Sequence, residues 1–462
     1  MAGLRPLPPP PPTRLEDLDD DSIIQILKRI PCRVDRGRMF SVCRAWRAVL
    51  SRILKPDEPP RELLVNLMRE GGIPNFVIEL VLKNKVDARK AFFNLTAPRA
   101  LPWLLLPAPF CGGDGDGCRS AACVLSGCHV HHYVNIPPGA RCFGSHDGRW
   151  LFLHFLAPHH TLLQRAGTPC PDPHDPPTVA HRVDAPRTSG LMYVHYLALS
   201  GRADDADCFA AAVATCRWIG PGPRFVHLQT RRGVVAWNRR AHGEYSTLEI
   251  LAEENGVDDT NVDDVVWYKG EFHFVTRGGH VRACKPIMNG ERLALDGGWL
   301  IRQFVPVLFG DHIHIRTRYL VVSRGELLMV VRFTPHPLQR GTCGFKVYRE
   351  TERKTADACP DFPVDEYPWS WSELDMLDGR MLFVGHGCSR SYDTNQYPGF
   401  DAAIYFLDEG DQYDNAAILF RHGHATRYPC SDNGKWTEDG GVQRCFPRGY
   451  PSDHSAPVWL FP

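Results

Sequence analysis

Lys269-Gly-Glu-Phe-His-Phe-Val275, Arg324-Gly-Glu-Leu-Leu-Met-Val-Val331 and Asp378-Gly-Arg-Met-Leu-Phe-Val384 repeat one form within the chain. Each is a polar residue and a glycine followed by a strand-like apolar run. The glycine supplies the positive φ of a tight hairpin turn, and the aromatic and branched residues behind it suit a pleated sheet. The turn glycines Gly270, Gly325 and Gly379 are separated by 325 − 270 = 55 and 379 − 325 = 54 residues. A period of about 50 residues with four strands each predicts the blades of a kelch-class β-propeller, about six or seven over the β-rich length.

Two earlier runs share the form, Asp147-Gly-Arg-Trp-Leu-Phe-Leu-His154 and Arg232-Gly-Val-Val-Ala-Trp237. Their spacing is irregular: 233 − 148 = 85 and 270 − 233 = 37. Either blades carry insertions, such as the Pro/His-rich segment 169–186, or one hairpin is misassigned. A β-sandwich or two stacked β-domains is the alternative architecture for this all-β region.

Toward the N-terminus the period changes. Residues 15–50 read as two short amphipathic helices broken at Pro31, with Ile23, Leu27 and Ile30 at helical spacing before the break and Met39, Val42, Cys43, Trp46 and Leu50 after it. Asp19, Asp20 and Asp21 sit where a helix N-terminus favours negative charge, and Lys28 and Arg29 near the opposite end. The predicted organisation is a proline-rich tail over 1–13, a helical module over 14–55, a helical linker over 56–95 and the β domain over 96–462. Pro8 to Pro12 predicts a solvated polyproline II tether.

The helical pair resembles an F-box, on Leu18, Ile23, Ile24, Leu27, Arg29, Ile30, Pro31, Val42, Cys43, Arg44, Trp46 and Arg47. That resemblance implies docking on a Skp-type adaptor and, through it, a cullin-RING ligase of the SCF type. The adaptor-facing residues it implies are Leu18, Ile23, Ile24, Leu27, Ile30, Pro31, Val42, Cys43 and Trp46. Asp19 replaces the proline that usually precedes the first helix. The run Gly385-His-Gly-Cys-Ser-Arg-Ser-Tyr-Asp-Thr-Asn-Gln-Tyr-Pro-Gly-Phe400, followed by Ile404-Tyr-Phe-Leu-Asp408 and Pro457-Val-Trp-Leu-Phe-Pro462, resembles the propeller-like domain of unknown function of plant F-box proteins. Together the two resemblances imply a non-catalytic substrate receptor that presents an unknown protein target for ubiquitination.

Composition narrows the classes. Lys+Arg and Asp+Glu are both 53, so no net field attracts nucleic acid or an anionic membrane. The absence of an apolar span or leader-like segment predicts a cytoplasmic or nuclear protein. In such a compartment the 16 cysteines are expected as thiols.

Chemical motifs are sparse. Cys118, Cys123, Cys128, His129, His131 and His132 offer zinc-type donors, but the four-residue gaps between cysteines and the Cys-x-His alternation fit a strand better, so no metal is expected. Cys388 beside His386 invites a nucleophile hypothesis; a glycine-rich turn after a strand explains the same residues without chemistry. Phosphate-binding loops, nucleophile elbows and metalloprotease motifs do not occur, and no cofactor is expected. The alternatives to the receptor are a propeller enzyme or ligand sensor with a central site, and an F-box-like interaction protein outside any ligase.

Overall fold

The computed structural model describes residues 18, 22, 26, 101–106, 118–123, 128–135, 140–146, 150–155, 160–165, 180–184, 190–201, 208–219, 226–228, 234–238, 249–250, 262–289, 292–307, 309, 314–336, 339, 341–353, 361–397, 399–409, 428–446, 452 and 455–461. Among the N-terminal residues, Leu18 is half-buried and Ser22 and Ile26 have helical backbone. Ile23, Ile24, Leu27, Ile30, Pro31, Val42, Cys43 and Trp46 lie outside the described residues.

The described strands form six sheets. The first joins β1 (Trp103–Leu105), β2 (Cys118–Cys123) and β3 (Cys128–Asn135) to β26 (Val458–Leu460). The second is β4 (Ala140–His146), β5 (Trp150–Phe155), β6 (His160–Arg165) and β7 (Ala180–Asp184). In the third, β9 (Phe209–Ile219) pairs with β8 (Gly190–Leu199) on one edge and with β10 (Val226–Leu228) and β11 (Val234–Asn238) on the other, and β12 (Glu249–Ile250) follows β11. The fourth is β13 (Val262–Tyr268), β14 (Glu271–Thr276), β15 (Val281–Asn289) and β16 (Arg292–Arg302). The fifth is β17 (His314–Ser323), β18 (Glu326–Thr334), β19 (Gly344–Glu352) and β20 (Trp369–Glu373). The sixth runs β22 (Arg390–Asp393), β21 (Arg380–Phe383), β23 (Ala403–Phe406), β24 (Gly434–Thr437) and β25 (Gly441–Gln443).

One strand of each sheet meets its counterpart in the next: β26 with β4, β4 with β8, β8 with β13, β13 with β17 and β17 with β22. Phe383 and Trp459 close the circuit, their ring centroids 5.2 Å apart and edge to face. Trp459 Nε1 also donates to the Val384 carbonyl at 2.9 Å. Sheets that meet one another in this way are blades, as the 55- and 54-residue spacing predicts. The core lies between them. One cluster packs Tyr268, Val275 and Val281 of the fourth blade on Leu320, Leu327 and Met329 of the fifth. Another packs Leu328 and Val330 of the fifth on Leu382, Ile404 and Phe406 of the sixth.

Two hairpin expectations need correction. Lys269-Gly270 and Arg324-Gly325 join the first two strands of their blades, with both residues at positive φ (49° and 85°; 51° and 76°), as a type I′ turn requires. Asp378-Gly379 has the same conformation (49° and 71°), but no strand of its own blade precedes it. The preceding strand β20 is the outer strand of the fifth blade, so β21 finds its antiparallel partner in β22, which comes afterward and takes the inner position. β23 then lies parallel to β21. Arg232-Gly233 precedes β11, whereas the first hairpin of the third blade, β8 to β9, turns near Ser200 and Gly201.

The first blade mixes sequence-distant strands. β26 pairs with β1 in the register Trp103↔Leu460, Leu104↔Trp459 and Leu105↔Val458. Ser145 on β4 locks this closure: its hydroxyl donates to the Trp459 carbonyl at 2.6 Å and accepts the Phe461 N–H at 3.1 Å. The cysteine and histidine candidates for zinc lie on β2 and β3, an antiparallel pair in which Cys123 faces Cys128. Among the described residues no helix is long and apolar enough to cross a membrane.

Candidate functional site

His386 is brought to the meeting point of the inner strands by a tight turn. Cys388 N–H donates to the Gly385 carbonyl at 3.0 Å, and Ser389 Oγ donates to the same carbonyl at 3.0 Å. Gly387 is obligatory there. Its φ is +70°, and a Cβ would stand 2.5 Å from the Leu197 carbonyl oxygen of β8. Its N–H donates to Asp264 Oδ1 at 2.6 Å.

The buried His386 ring lies between two tyrosines, with centroids 4.1 Å from Tyr196 on β8 and 4.5 Å from Tyr319 on β17. Its Nε2 is 3.0 Å from Glu409 Oε2 and 3.3 Å from Thr317 Oγ1, and its Nδ1 is 3.7 Å from Asp264 Oδ1. Blades three to six therefore each contribute to one imidazole.

The electrostatics follow from this placement. Burial disfavours an imidazolium, but Glu409 and Asp264 outweigh it and hold the His386 pKa at about 9. Burial pushes the Glu409 carboxyl up, yet the adjacent His386 cation, with Arg332 behind it, brings it below the usual carboxylate range. Asp264 is pushed up by burial despite His386 and the N–H groups of Leu320 and Gly387. At neutral pH the hub is a buried His386 cation facing the Glu409 anion.

A second layer supports the first. Tyr319 donates its hydroxyl hydrogen to Glu409 Oε2 at 3.0 Å and accepts from Arg332 Nη1 at 3.1 Å. The fully buried Arg332 also donates to the Leu407 carbonyl at 2.7 Å and to Asp432 Oδ2 at 2.9 Å. Arg316 Nη1 reaches the same Asp432 oxygen at 2.8 Å and its Nη2 reaches Asp408 at 3.2 Å. Charges inside strands are thus tied into one network between the fifth and sixth blades.

The nucleophile hypothesis fails on this geometry. Both His386 nitrogens face carboxylates, and a cation cannot serve as a general base. Burial pushes the Cys388 thiol well above its ordinary range, with Glu409 and Asp264 adding to the effect, the reverse of what a thiolate needs. A narrow cleft opens beside the hub, walled by Arg141, Tyr196, Cys388, Glu409 and Trp459. No group of side chains able to hold a metal ion occurs among the described residues.

Sequence reasoning singled out His386 and Cys388 but missed Asp264, Glu409, Tyr196, Thr317, Tyr319, Arg332 and Asp432. A signal was present: Asp263 and Asp264 interrupt an apolar strand, and Arg332 ends the run Leu-Leu-Met-Val-Val. Charges in otherwise apolar strands are kept only with partners.

The sheets of the described residues, each meeting the next through one strand, define a β-propeller. The KIB1-4 beta-propeller family model matches residues 125–428, more than half of the chain, which therefore belongs to that family. Among solved structures it is similar to the WD40 domain of SCAP from fission yeast, at 10% identity and a TM-score of 0.23, over 59% of this chain and 71% of that one. No curated protein matches it.

Proposed function

We propose that this chain is the substrate receptor of a cullin-RING ubiquitin ligase. The N-terminal helical segment docks on a Skp-type adaptor, and the propeller holds a protein target with its blade-connecting loops. The observation that carries this reading is the hub: His386, Glu409, Tyr319 and Arg332 tie the fifth and sixth blades together, so the propeller offers a rigid frame whose variable chemistry lies in its loops. The F-box resemblance of residues 15–50 supplies the docking half. Ubiquitin transfer is then accelerated by proximity, with bond-making left to other subunits.

Proximity labelling from the full-length protein in cells tests it. Adaptor and cullin should be labelled by the wild type and lost from the Leu18→Ala/Ile23→Ala double variant, while proteins labelled by both remain as target candidates. Equal adaptor labelling by both proteins, or none by either, would end the receptor reading.

The cleft beside the hub favours a second reading, a small-ligand sensor. A ligand that raises the melting temperature of the wild type, but not of Arg141→Ala, would support it over the receptor alone.

A further inference from the structure

The cations of this chain are unevenly divided between the two residue types. Of its 53 Lys+Arg, 10 are lysine and 43 are arginine. Five lysines, Lys28, Lys55, Lys83, Lys85 and Lys90, fall before residue 96; five more, Lys269, Lys285, Lys346, Lys354 and Lys435, serve the remaining 367 residues. None lies between Lys90 and Lys269, an interval that holds 14 arginines.

Structure explains only part of this preference. Arg332 is buried and makes several directed bonds, and Arg353 donates to the Phe362 and Tyr367 carbonyls at 3.0 and 2.8 Å; a guanidinium suits both sites. Arg349 is different. It is 47% exposed and makes one ion pair, to Glu326 at 3.3 Å, a role a lysine would fill equally well. The four described propeller lysines are all engaged. Lys285 pairs with Asp296 at 2.8 Å, Lys346 with Glu373 at 2.8 Å and Lys435 with Asp401 at 3.7 Å, while Lys269 stands 4.8 Å over the Tyr268 ring. Hydrogen bonding to Asp296 and to Tyr268 raises the pKa of Lys285 and of Lys269, keeping their amines protonated.

We propose that the propeller surface is shielded against self-ubiquitination by arginine in place of lysine, with any self-modification confined to Lys28–Lys90. The inference rests on the receptor reading above. A subunit held beside a ubiquitin-charged enzyme is exposed to it at high effective concentration, target or no target. In the reaction a deprotonated lysine Nζ attacks the ubiquitin thioester, an isopeptide bond forms as the C–S bond breaks, the enzyme cysteine leaves as thiolate and the proton lost by the attacking amine passes to solvent. A guanidinium, protonated throughout the accessible pH range, has no lone pair to offer.

The test is self-ubiquitination of the full-length chain assembled with adaptor, cullin-RING subunits, ubiquitin and charging enzymes, with the marks mapped by mass spectrometry. Assembly is measured first, by co-elution. The wild type should carry its marks on Lys28–Lys90, and Arg349→Lys should add a mark at position 349 and raise propeller modification several-fold. Marks spread over Lys269, Lys285, Lys346, Lys354 and Lys435 in the wild type, or no gain from Arg349→Lys, would overturn the shield alone. Failure to co-elute would overturn the receptor reading, and the shield with it.

Discussion

Two buried histidines of the propeller differ in charge, one neutral and one cationic, for reasons visible in their neighbours. His273 on β14 is desolvated, and this burial together with the positive charge of Arg302 pushes its pKa down to about 4, so it is neutral. His386 is desolvated too, but its carboxylate neighbours reverse the outcome and raise its pKa from 6.5 to about 9. A folded-state value above the unfolded one means that the charged His386 stabilises the fold fully below pH 6.5, and that this contribution fades as pH climbs through about 9. The lowered Glu409 works in the other direction, its contribution fading on acidification. The melting temperature of the wild type should fall between pH 7 and pH 9.5 more steeply than that of His386→Gln, which should itself be destabilised by about 3–5 kcal/mol at neutral pH for loss of one partner of a buried pair. Parallel pH profiles would show that His386 is neutral in the fold. The His386 turn was legible in the sequence as a glycine-rich loop after a strand. Its partners were not, because Tyr196, Asp264, Thr317 and Glu409 lie on four separate segments that only the radial packing joins.

Turns between the strands link one blade to the next. Tyr268, before the Lys269-Gly270 turn, donates its hydroxyl hydrogen to the Gly325 carbonyl at 2.9 Å; Arg324, in that next turn, donates to the Asp378 carbonyl at 2.8 Å and pairs with Asp378 and Asp393. The sequence period therefore marks a physical contact repeated from blade to blade. Glycines in these turns and at the hub should respond differently to alanine. A Cβ on Gly325 meets nothing within 4 Å, so Gly325→Ala should cost only the left-handed conformation, about 1 kcal/mol. Gly387→Ala adds a clash with the Leu197 carbonyl and should cost clearly more, about 1–3 kcal/mol from strain alone. Equilibrium unfolding in denaturant measures both, and equal losses would contradict the close approach at Gly387. The Asp378-Gly379 turn was readable, but its strand partner was not. Hairpin patterns assume that neighbours in sequence pair in space, and in the sixth blade β22 reaches the inner position from the far side of β21. The same limit hid the first blade, whose β26 lies more than 300 residues from its partner β1.

At the scale of the molecule, the circuit of blades depends on β26. Trp459 is buried against Phe383 and donates its indole N–H to Val384, so Trp459→Ala should lower stability by about 3–5 kcal/mol. A cooperative unfolding transition at much lower denaturant is expected; an unchanged midpoint would mean that the circuit closes without it. The all-β architecture was legible because its cause is local, period-two runs punctuated by glycine. The docking half of the proposed function rests on residues 15–50, whose stripes are local as well but whose proposed partner is another molecule. Binding of the purified full-length protein to a purified Skp-type adaptor, followed by size-exclusion chromatography with light scattering, tests that partnership most directly. A one-to-one complex for the wild type, lost in Leu18→Ala/Ile23→Ala while the melting temperature is unchanged, is the expected result. Separate elution of wild type and adaptor at concentrations where an F-box docks would contradict it.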